Sequence, residues 1–438
     1  MTTPLVTLQK PKDVSLDEIE AELQKIWAQY KGGNVTSSVM KSETFCMVVY
    51  EPEEFQQLLA TLGFYDGPID GIHGPRTRGA VQVAQLQYGL RVTGRIDPET
   101  LARLRQEVSQ NPPDLNKLIN NRDGRGFSIS DAVAEQSPRR IITLCPTLGE
   151  DTGVTAQVSA YCPVQKNAGG NLLCCEYITL RGTKQALDRV GDLVISLMMP
   201  DLPKFVWWKA TPNPEQELFK KLSCKCNCII VDSSYFSNAE AELLKIHSLK
   251  GTGPSVADLN WHRVSPWQEL TAADFDPPER REDLTSIDHI SIDYEKGNAA
   301  QALMFLGWIA SRLDWEPTEY NSTGGIYDLR QVIFKTPDGR IIDAELAAIP
   351  TADWGEILGD LVGLRLSSDT FCSILCSETT GCMRMEAGGS AQSCRTEQVS
   401  ALSDQRAEEL MSSQLQRWGR DALYEESLDV TAKILKLR

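Results

Sequence analysis

The chain has 438 residues, 60 acidic and 44 basic, for a formal net charge of −16. At roughly 150 residues per domain this length suggests about three domains, and the acidity argues against nucleic acid or an anionic membrane as partner. No apolar run approaches the ~20 residues of a membrane-spanning helix, and the N-terminus lacks the basic start and apolar stretch of a secretory signal, so a cytoplasmic protein is expected.

Residues 15–30 place Ile19, Leu23, Ile26 and Trp27 at helical spacing. Residues 43–50 read as a buried strand. The segment 51–107 then carries an internal repeat, in which Gly71, Pro75 and Thr77 recur as Gly94, Pro98 and Thr100. Each proline suits a first helical position, where its missing N–H costs nothing, and Asp97 is placed to cap the second copy. A helix with Phe55, Leu58, Leu59 and Leu62 on one face precedes both copies, which predicts a three-helix module. Residues 108–126, rich in Pro, Asn, Asp and Gly, read as a linker.

From 127 onward strands and helices alternate. Strands are expected at 140–145, 156–163, 172–179, 204–208 and 228–232, and helices at 182–197, 214–222 and 238–248, the pattern of an α/β domain. Residues 250–287 read as irregular because of Pro254, Pro266, Pro277 and Pro278, with a short helix near Trp267 and Leu270. The remainder, 288–438, reads as α+β. It has a strand at 289–294, an apolar helix at 298–313 and strands at 327–334, 340–349 and 361–366. A turn lies at Pro337-Asp338-Gly339 and one final helix at 403–434. The expected organisation is residues 1–50 joining a central α/β domain (127–287) across the helical insert (51–107) and linker (108–126), with an α+β domain at 288–438.

The catalytic inventory is nearly empty. There is no G-x-S-x-G, no Walker A loop and no G-x-G-x-x-G, and the four histidines lie in no nucleophile or metal motif. No enzyme activity, cofactor or metal is expected. Cys224, Cys226 and Cys228 open a strand without a fourth ligand nearby and read as structural thiols; Cys174 and Cys175 read as core. Cys372, Cys376, Cys382 and Cys394 fall in a polar, Gly/Ser-rich stretch. A hairpin with the five-residue loop 377–381 would set Cys376 opposite Cys382, with Cα atoms about 4.5–5.5 Å apart, inside the disulfide range. That pair is the candidate redox disulfide, with Cys394 the other candidate partner for Cys382. The segment 261–270, read as exposed, offers Trp261, Arg263 and Trp267 as a candidate partner contact, since Trp and Arg anchor interfaces.

The segment 51–107 resembles the type-1 peptidoglycan-binding domain, through Leu58, Gly63-Phe64-Tyr65-Asp66-Gly67-Pro68-Ile69-Asp70-Gly71, Gly74-Pro75-Arg76-Thr77 and Pro98-Glu99-Thr100. Outside it, the chain resembles the OpcA family of glucose-6-phosphate dehydrogenase assembly proteins. The residues that carry this are Ser137-Pro138-Arg139-Arg140-Ile141-Ile142, Cys174-Cys175-Glu176-Tyr177-Ile178, Asp201-Leu202-Pro203 with Trp207-Trp208, Ile230-Val231-Asp232-Ser233, Asp258-Leu259-Asn260-Trp261 and Ser265-Pro266-Trp267-Gln268-Glu269-Leu270. The insert and the many cysteines look like the cyanobacterial branch. The resemblance implies a cytoplasmic, non-catalytic protein that binds glucose-6-phosphate dehydrogenase and raises its activity, feeding the oxidative pentose phosphate pathway. It also implies thioredoxin control, the oxidised form being the activator. A peptidoglycan-binding envelope protein and a thiol-dependent enzyme are the rival readings.

Overall fold

The computed structural model describes residues 5–31, 39–52, 54–65, 75–110, 133, 136–147, 150–163, 172–236, 238–251, 253–349, 359–368, 371–379, 382–389, 396–401, 407–417 and 419–438. Its elements begin with β1 (Leu5–Val14), α1 (Ile19–Lys31), β2 (Val39–Lys41), β3 (Cys46–Tyr50), α2 (Glu54–Thr61), α3 (Pro75–Gln87) and α4 (Pro98–Gln110). There follow β4 (Arg140–Pro146), β5 (Thr155–Pro163), β6 (Leu172–Gly182), α5 (Lys184–Arg189), α6 (Gly191–Leu197), β7 (Lys204–Trp208), α7 (Glu217–Ser223) and β8 (Cys228–Val231). Next come α8 (Ala239–Leu249), β9 (Ser255–Asp258), α9 (Leu259–Asp274), α10 (Pro278–Arg281), β10 (His289–Glu295), α11 (Ala300–Arg312), β11 (Glu316–Gly324), β12 (Leu329–Lys335) and β13 (Ile341–Ile349). The last are β14 (Leu361–Ser367), β15 (Phe371–Thr379), β16 (Cys382–Gly389), β17 (Thr396–Ala401), α12 (Ala407–Gln416) and α13 (Ala422–Leu435). Two compact units result. One comprises Met1–Val231, Gly251–Val256 and Met411–Trp418; the other comprises Asp232–Lys250, Ala257–Leu410 and Gly419–Arg438. The division thus falls at Val231/Asp232, ahead of the 287/288 boundary expected from the sequence.

The first unit is built on a mixed sheet of order β1-β5-β6-β4-β3-β7-β8-β9, with β2 paired to β6. Strands β6, β4, β3, β7 and β8 run parallel. All five residues of β3 are buried, as a parallel strand covered on both faces requires. β3 and β4 are neighbours, Cys46 facing Arg140. β1 was not expected. It is an edge strand whose register slips between Gln9 and Lys12, at Pro11, where a missing N–H does least harm.

The connection from β3 to β4 carries α2, α3 and α4, which share an apolar cluster of Leu58, Leu59, Tyr65, Ala80, Val81, Ala84 and Leu104. The repeated threonines have matching roles. Gln56 donates to Thr77 (3.4 Å) and Gln85 to Thr100 (3.0 Å), both amides fully buried. Gln85 also accepts from the Thr93 and Gly94 amides (2.9 and 2.8 Å), and so fastens the turn that leads into α4.

A charged cluster lies in the same unit. Glu176 of β6, 1 % exposed, pairs with Arg140 (2.8 Å), Arg139 (2.9 Å) and Lys41 (3.6 Å) and accepts from the Trp27 indole. Burial alone would raise its pKa, but Arg140, Arg139 and Lys41 outweigh it and hold Glu176 below the usual carboxylate range. One buried anion thus ties α1, β2, β4 and β6 together.

The second unit centres on a sheet of order β11-β12-β13-β10-β14-β15-β16-β17. β10 pairs in parallel with β13, and the other pairings are antiparallel. β10 alternates buried Ile290, Ile292 and Tyr294 with half-buried neighbours. The apolar helix α11 packs on α13 through Gly307, where a Cβ would meet Thr431 Oγ1 at 2.4 Å. The single helix expected over 403–434 is two, because Asp421 caps a new start by accepting from the Tyr424 amide (3.0 Å).

The segment expected to be irregular is largely the 16-residue helix α9, with Pro266 inside it. Asp258 caps it by accepting from the Asn260 amide (2.9 Å), and Leu259, Trp261, Val264 and Trp267 are all buried. Burial of that face outweighs the local cost of the proline. Around the cap lies a second polar cluster. Arg263 makes a two-pronged bond to Asp232 (2.8 and 2.9 Å), Asp258 accepts from the Ser233 amide (3.0 Å), and Gln301 donates to Asn260 (2.8 Å). Burial, then repulsion from Asp232, pushes Asp258 up to about 6. Its second oxygen has no partner among the described residues.

Two outcomes follow. Replacing 52–124 by a Gly/Ser bridge should leave a soluble protein with a cooperative melt, since 125–139 plus the bridge exceed the dozen or so residues a parallel crossover needs; recovery only as aggregate contradicts an independent insert. Asp258 has a folded pKa of about 6 above the ~3.9 of an unfolded Asp, so the folded state binds the extra proton. The contribution of Asp258 to stability therefore falls as pH rises from about 4 to about 6 and is level above. Asp258→Asn keeps the capping acceptor. It should flatten that slope and raise stability at neutral pH by about 1–3 kcal/mol; urea melts across the interval check it, and an unchanged slope refutes it.

Candidate functional site

Of the expected partner contact, Trp261 is 4 % exposed, Arg263 7 % and Trp267 2 %. The exposed segment read from the sequence is instead the buried face of α9. The Trp261 indole donates to Asp421 (3.1 Å), Arg263 is engaged with Asp232, and Trp267 meets Phe305 edge-on at 6.4 Å. Aromatics among prolines signalled a surface here, but helical spacing makes them core.

The C-terminal cysteines lie on a hairpin whose register differs from the expected one. β15 and β16 are joined across residues 380 and 381, with Cys376 facing Arg384 and Cys382 facing Thr379. The two cysteines are therefore two positions out of register rather than opposed. Cys394 lies outside the described residues.

A disulfide the sequence reading missed joins Cys162 to Cys174. β5 and β6 pair antiparallel with Tyr161 facing Cys175, so the next pair inward toward the turn is Cys162 and Cys174. Reading 156–163 and 172–179 as one hairpin would have found it. Both sulfurs pack against Trp27 and Leu8, beside the Glu176 cluster. Cys224 of this unit is an exposed free thiol, whereas four others are passive. Burial pushes Cys46 and Cys175 up, Cys226 to about 12 and Cys228 to about 11, which holds them as thiols rather than nucleophilic thiolates. Among the described residues no group of three or more His, Cys, Asp or Glu side chains could hold a metal ion, the Cys224, Cys226 and Cys228 run included. Nor is any described helix long and apolar enough to cross a membrane.

The winding of the first sheet singles out one further place. The chain goes from β3 to β4 and β6 on one side, then returns to β7 and β8 on the other. Such a reversal opens a crevice at the carboxyl ends of β3 and β7, where α/β proteins often bind dinucleotides. Here Tyr50 stacks on Trp208 (3.8 Å, 6° between planes), Trp208 meets Phe219 edge-on (4.9 Å), and buried Glu51 pairs with Lys209 (2.8 Å). β3 leads directly into Glu51, Pro52 and α2 rather than into a glycine-rich phosphate loop.

Comparison with known proteins accounts for these features together. A family model described as the glucose-6-phosphate dehydrogenase subunit N-terminal domain matches residues 130–248, and the corresponding C-terminal domain matches 254–428. A model described as "Putative peptidoglycan binding domain" matches 50–104. Over its full length the chain is similar to the "Putative OxPP cycle protein OpcA" of Synechococcus elongatus, at 54% identity over 442 residues and 98% of that protein. The proteins of the same description from Synechocystis and Nostoc punctiforme are 51% and 50% identical, with 99% and 100% of this chain and 94% and 96% of theirs aligned. Among solved structures, a 3-ketoreductase from Actinomadura kijaniata superposes with a TM-score of 0.38 and 10% identity over 56% of this chain and 79% of that one, too remote to bear on function. With both domain models matched in order and half of all positions shared end to end, the chain belongs to the OpcA family.

Proposed function

We propose that this protein is a cytoplasmic, non-catalytic activator and assembly partner of glucose-6-phosphate dehydrogenase, serving the oxidative pentose phosphate pathway. The observation that carries the reading is the end-to-end relation to proteins named for that cycle, whose two domain models are described as subunits of that dehydrogenase. A wall-binding reading would rest on residues 50–104 alone. Activation works by differential affinity. A chain that binds the active dehydrogenase conformation about tenfold better than the inactive one shifts their ratio tenfold, roughly 1.4 kcal/mol.

The redox control lies in Cys376 and Cys382, with Cys394 the other candidate partner for Cys382, and thioredoxin is the reductant. In the described register the two are diagonal neighbours, a spacing of about 7–8 Å between Cα atoms against the ~4.4–6.8 Å that a disulfide spans. Closing the bond must therefore redraw the hairpin tip, converting the two-residue connection into a longer loop. Oxidation and reduction then present the dehydrogenase with different surfaces. In the reductive step the thioredoxin dithiol passes two electrons and two protons to the bond, leaving two thiols here and a disulfide on thioredoxin.

Two measurements test the reading. Adding the purified chain to glucose-6-phosphate dehydrogenase should raise turnover or lower the KM for glucose 6-phosphate severalfold, and the two should co-migrate on gel filtration; no co-migration and unchanged kinetics refute it. Cys376→Ser and Cys382→Ser should each abolish the difference between oxidised and thioredoxin-reduced protein. If both variants still respond to thioredoxin, the pair is not the switch.

A further inference from the structure

The second unit holds a cavity of about 400 Å³ at the carboxyl end of β10, bounded by the start of α8 and the start of α11. Its walls include the cations Lys296, Arg330 and Arg438 and the anions Glu240 and Asp328. The anions are largely engaged within the protein. Glu240 accepts from Tyr320 (2.8 Å), Arg330 (3.0 Å) and Arg438 (2.6 Å), and Asp328 pairs with Arg330 (2.7 Å). Lys296 has no carboxylate partner among the described residues and donates to the Ile326 carbonyl (3.2 Å).

Donors remain free toward the space. Arg330 uses Nε and Nη1 on its neighbours, and its Nη2 has no partner among the described residues. Nor has the Ser322 hydroxyl or the Asn238 amide nitrogen, whose oxygen caps α8. The backbone adds to this. Gly297, at φ +142°, turns the chain from β10 toward the 13-residue α11. Ala299 is the N-cap, and the first turn is closed by Asn298, whose side-chain oxygen accepts from the Ala300 amide (2.7 Å). The start of a helix carries roughly half a positive charge, and two helices begin at this wall. In a chain of net charge −16, this lining sets three cations against two anions beside hydroxyl-binding groups.

We propose that this cavity binds a small phosphorylated metabolite bearing hydroxyl groups. The phosphate sits at the start of α11 against Lys296 and the free Nη2 of Arg330. A helix start with an adjoining lysine and arginine is suited to a tetrahedral dianion. The hydroxyls meet Asp328, Ser322 and Asn238, which together supply acceptors and donors. The volume exceeds what a lone phosphate fills and lies within the range of small-molecule sites, about 300–1,000 Å³. Glycine at 297 allows the ligand to approach the backbone where a side chain would intrude.

The test uses the isolated full-length chain and no dehydrogenase, so it stands apart from the activator reading. Calorimetric titration with glucose 6-phosphate should give saturable one-site binding, displaced by inorganic phosphate, while glucose should bind at least tenfold more weakly. Lys296→Glu should weaken binding at least tenfold. Lys335→Glu, the same charge change on an exposed position of β12 away from the cavity, should change it less than twofold. Gly297→Val, with its fold checked by thermal melt, provides a second variant expected to lose binding. The proposal is overturned if neither glucose 6-phosphate nor phosphate binds saturably, if glucose binds equally well, or if Lys296→Glu has no more effect than Lys335→Glu.

Discussion

Two parallel strands that follow one another in sequence cannot be joined by a tight turn. The chain must leave the end of the first strand and travel back to the beginning of the second, a dozen residues at the least. β3 and β4 are such a pair, and most of what distinguishes the first unit follows from how the chain makes that journey. It leaves β3 at the sheet's reversal point, forms three helices with an apolar cluster of their own, and returns to β4. The cost in loop entropy of so long a detour rises only as the logarithm of its length, so an inserted module with its own core is thermodynamically tolerable there. The same exit point is where a phosphate-binding loop would have to be. This chain places Glu51, Pro52 and α2 at that position, with Tyr50 stacked on Trp208 beside it.

Seven of the residues through which the sequence resembles the OpcA family are partners in two buried polar clusters. Arg139, Arg140 and Glu176 make up the first; Asp232, Ser233, Asp258 and Asn260 belong to the second, closed by Arg263. Buried ion pairs add little net stability, because desolvation offsets most of the attraction. Breaking one is expensive, since it strands a charge in the interior. Each member therefore constrains the others far more tightly than an apolar neighbour would. Such residues need not touch a substrate to be distinctive, and motif and active site are separable ideas in this chain.

The legibility of the fold follows the same logic. β3, β4, β7 and β8 were readable because strands covered on both faces are continuously apolar. The insert was readable because proline and glycine punctuate it at matching offsets. α9 was not, because Pro254, Pro266 and Pro277 suggested a broken chain, whereas burial of Leu259, Trp261, Val264 and Trp267 decided the outcome. The division of the last helix at Asp421 was hidden by an apolar pattern that continues through it. For the candidate site, the tryptophans of α9 misled for the same reason as its prolines. The cysteine hairpin was found, but its register was not, because two alternating strands can slip against each other until turn geometry fixes them. Glu176 was visible as a lone charge in an apolar strand; only the sheet order shows that Arg139 and Arg140 lie beside it.

The cysteines sort by environment rather than by number. Cys46, Cys175, Cys226 and Cys228 are held protonated by burial, so exchange with an external disulfide is slow at each of them. Cys162 and Cys174 are bonded and packed under Trp27, so a reductant must first open the β5–β6 end to reach them. A thiol–disulfide signal sent to this protein is thereby excluded from the first unit's interior on kinetic grounds. β15 and β16, which carry Cys372, Cys376 and Cys382, lie toward one edge of the second unit's sheet. The twelve cysteines are therefore not twelve equivalent thiols, because burial or bonding sets Cys46, Cys162, Cys174, Cys175, Cys226 and Cys228 apart from the exposed Cys224.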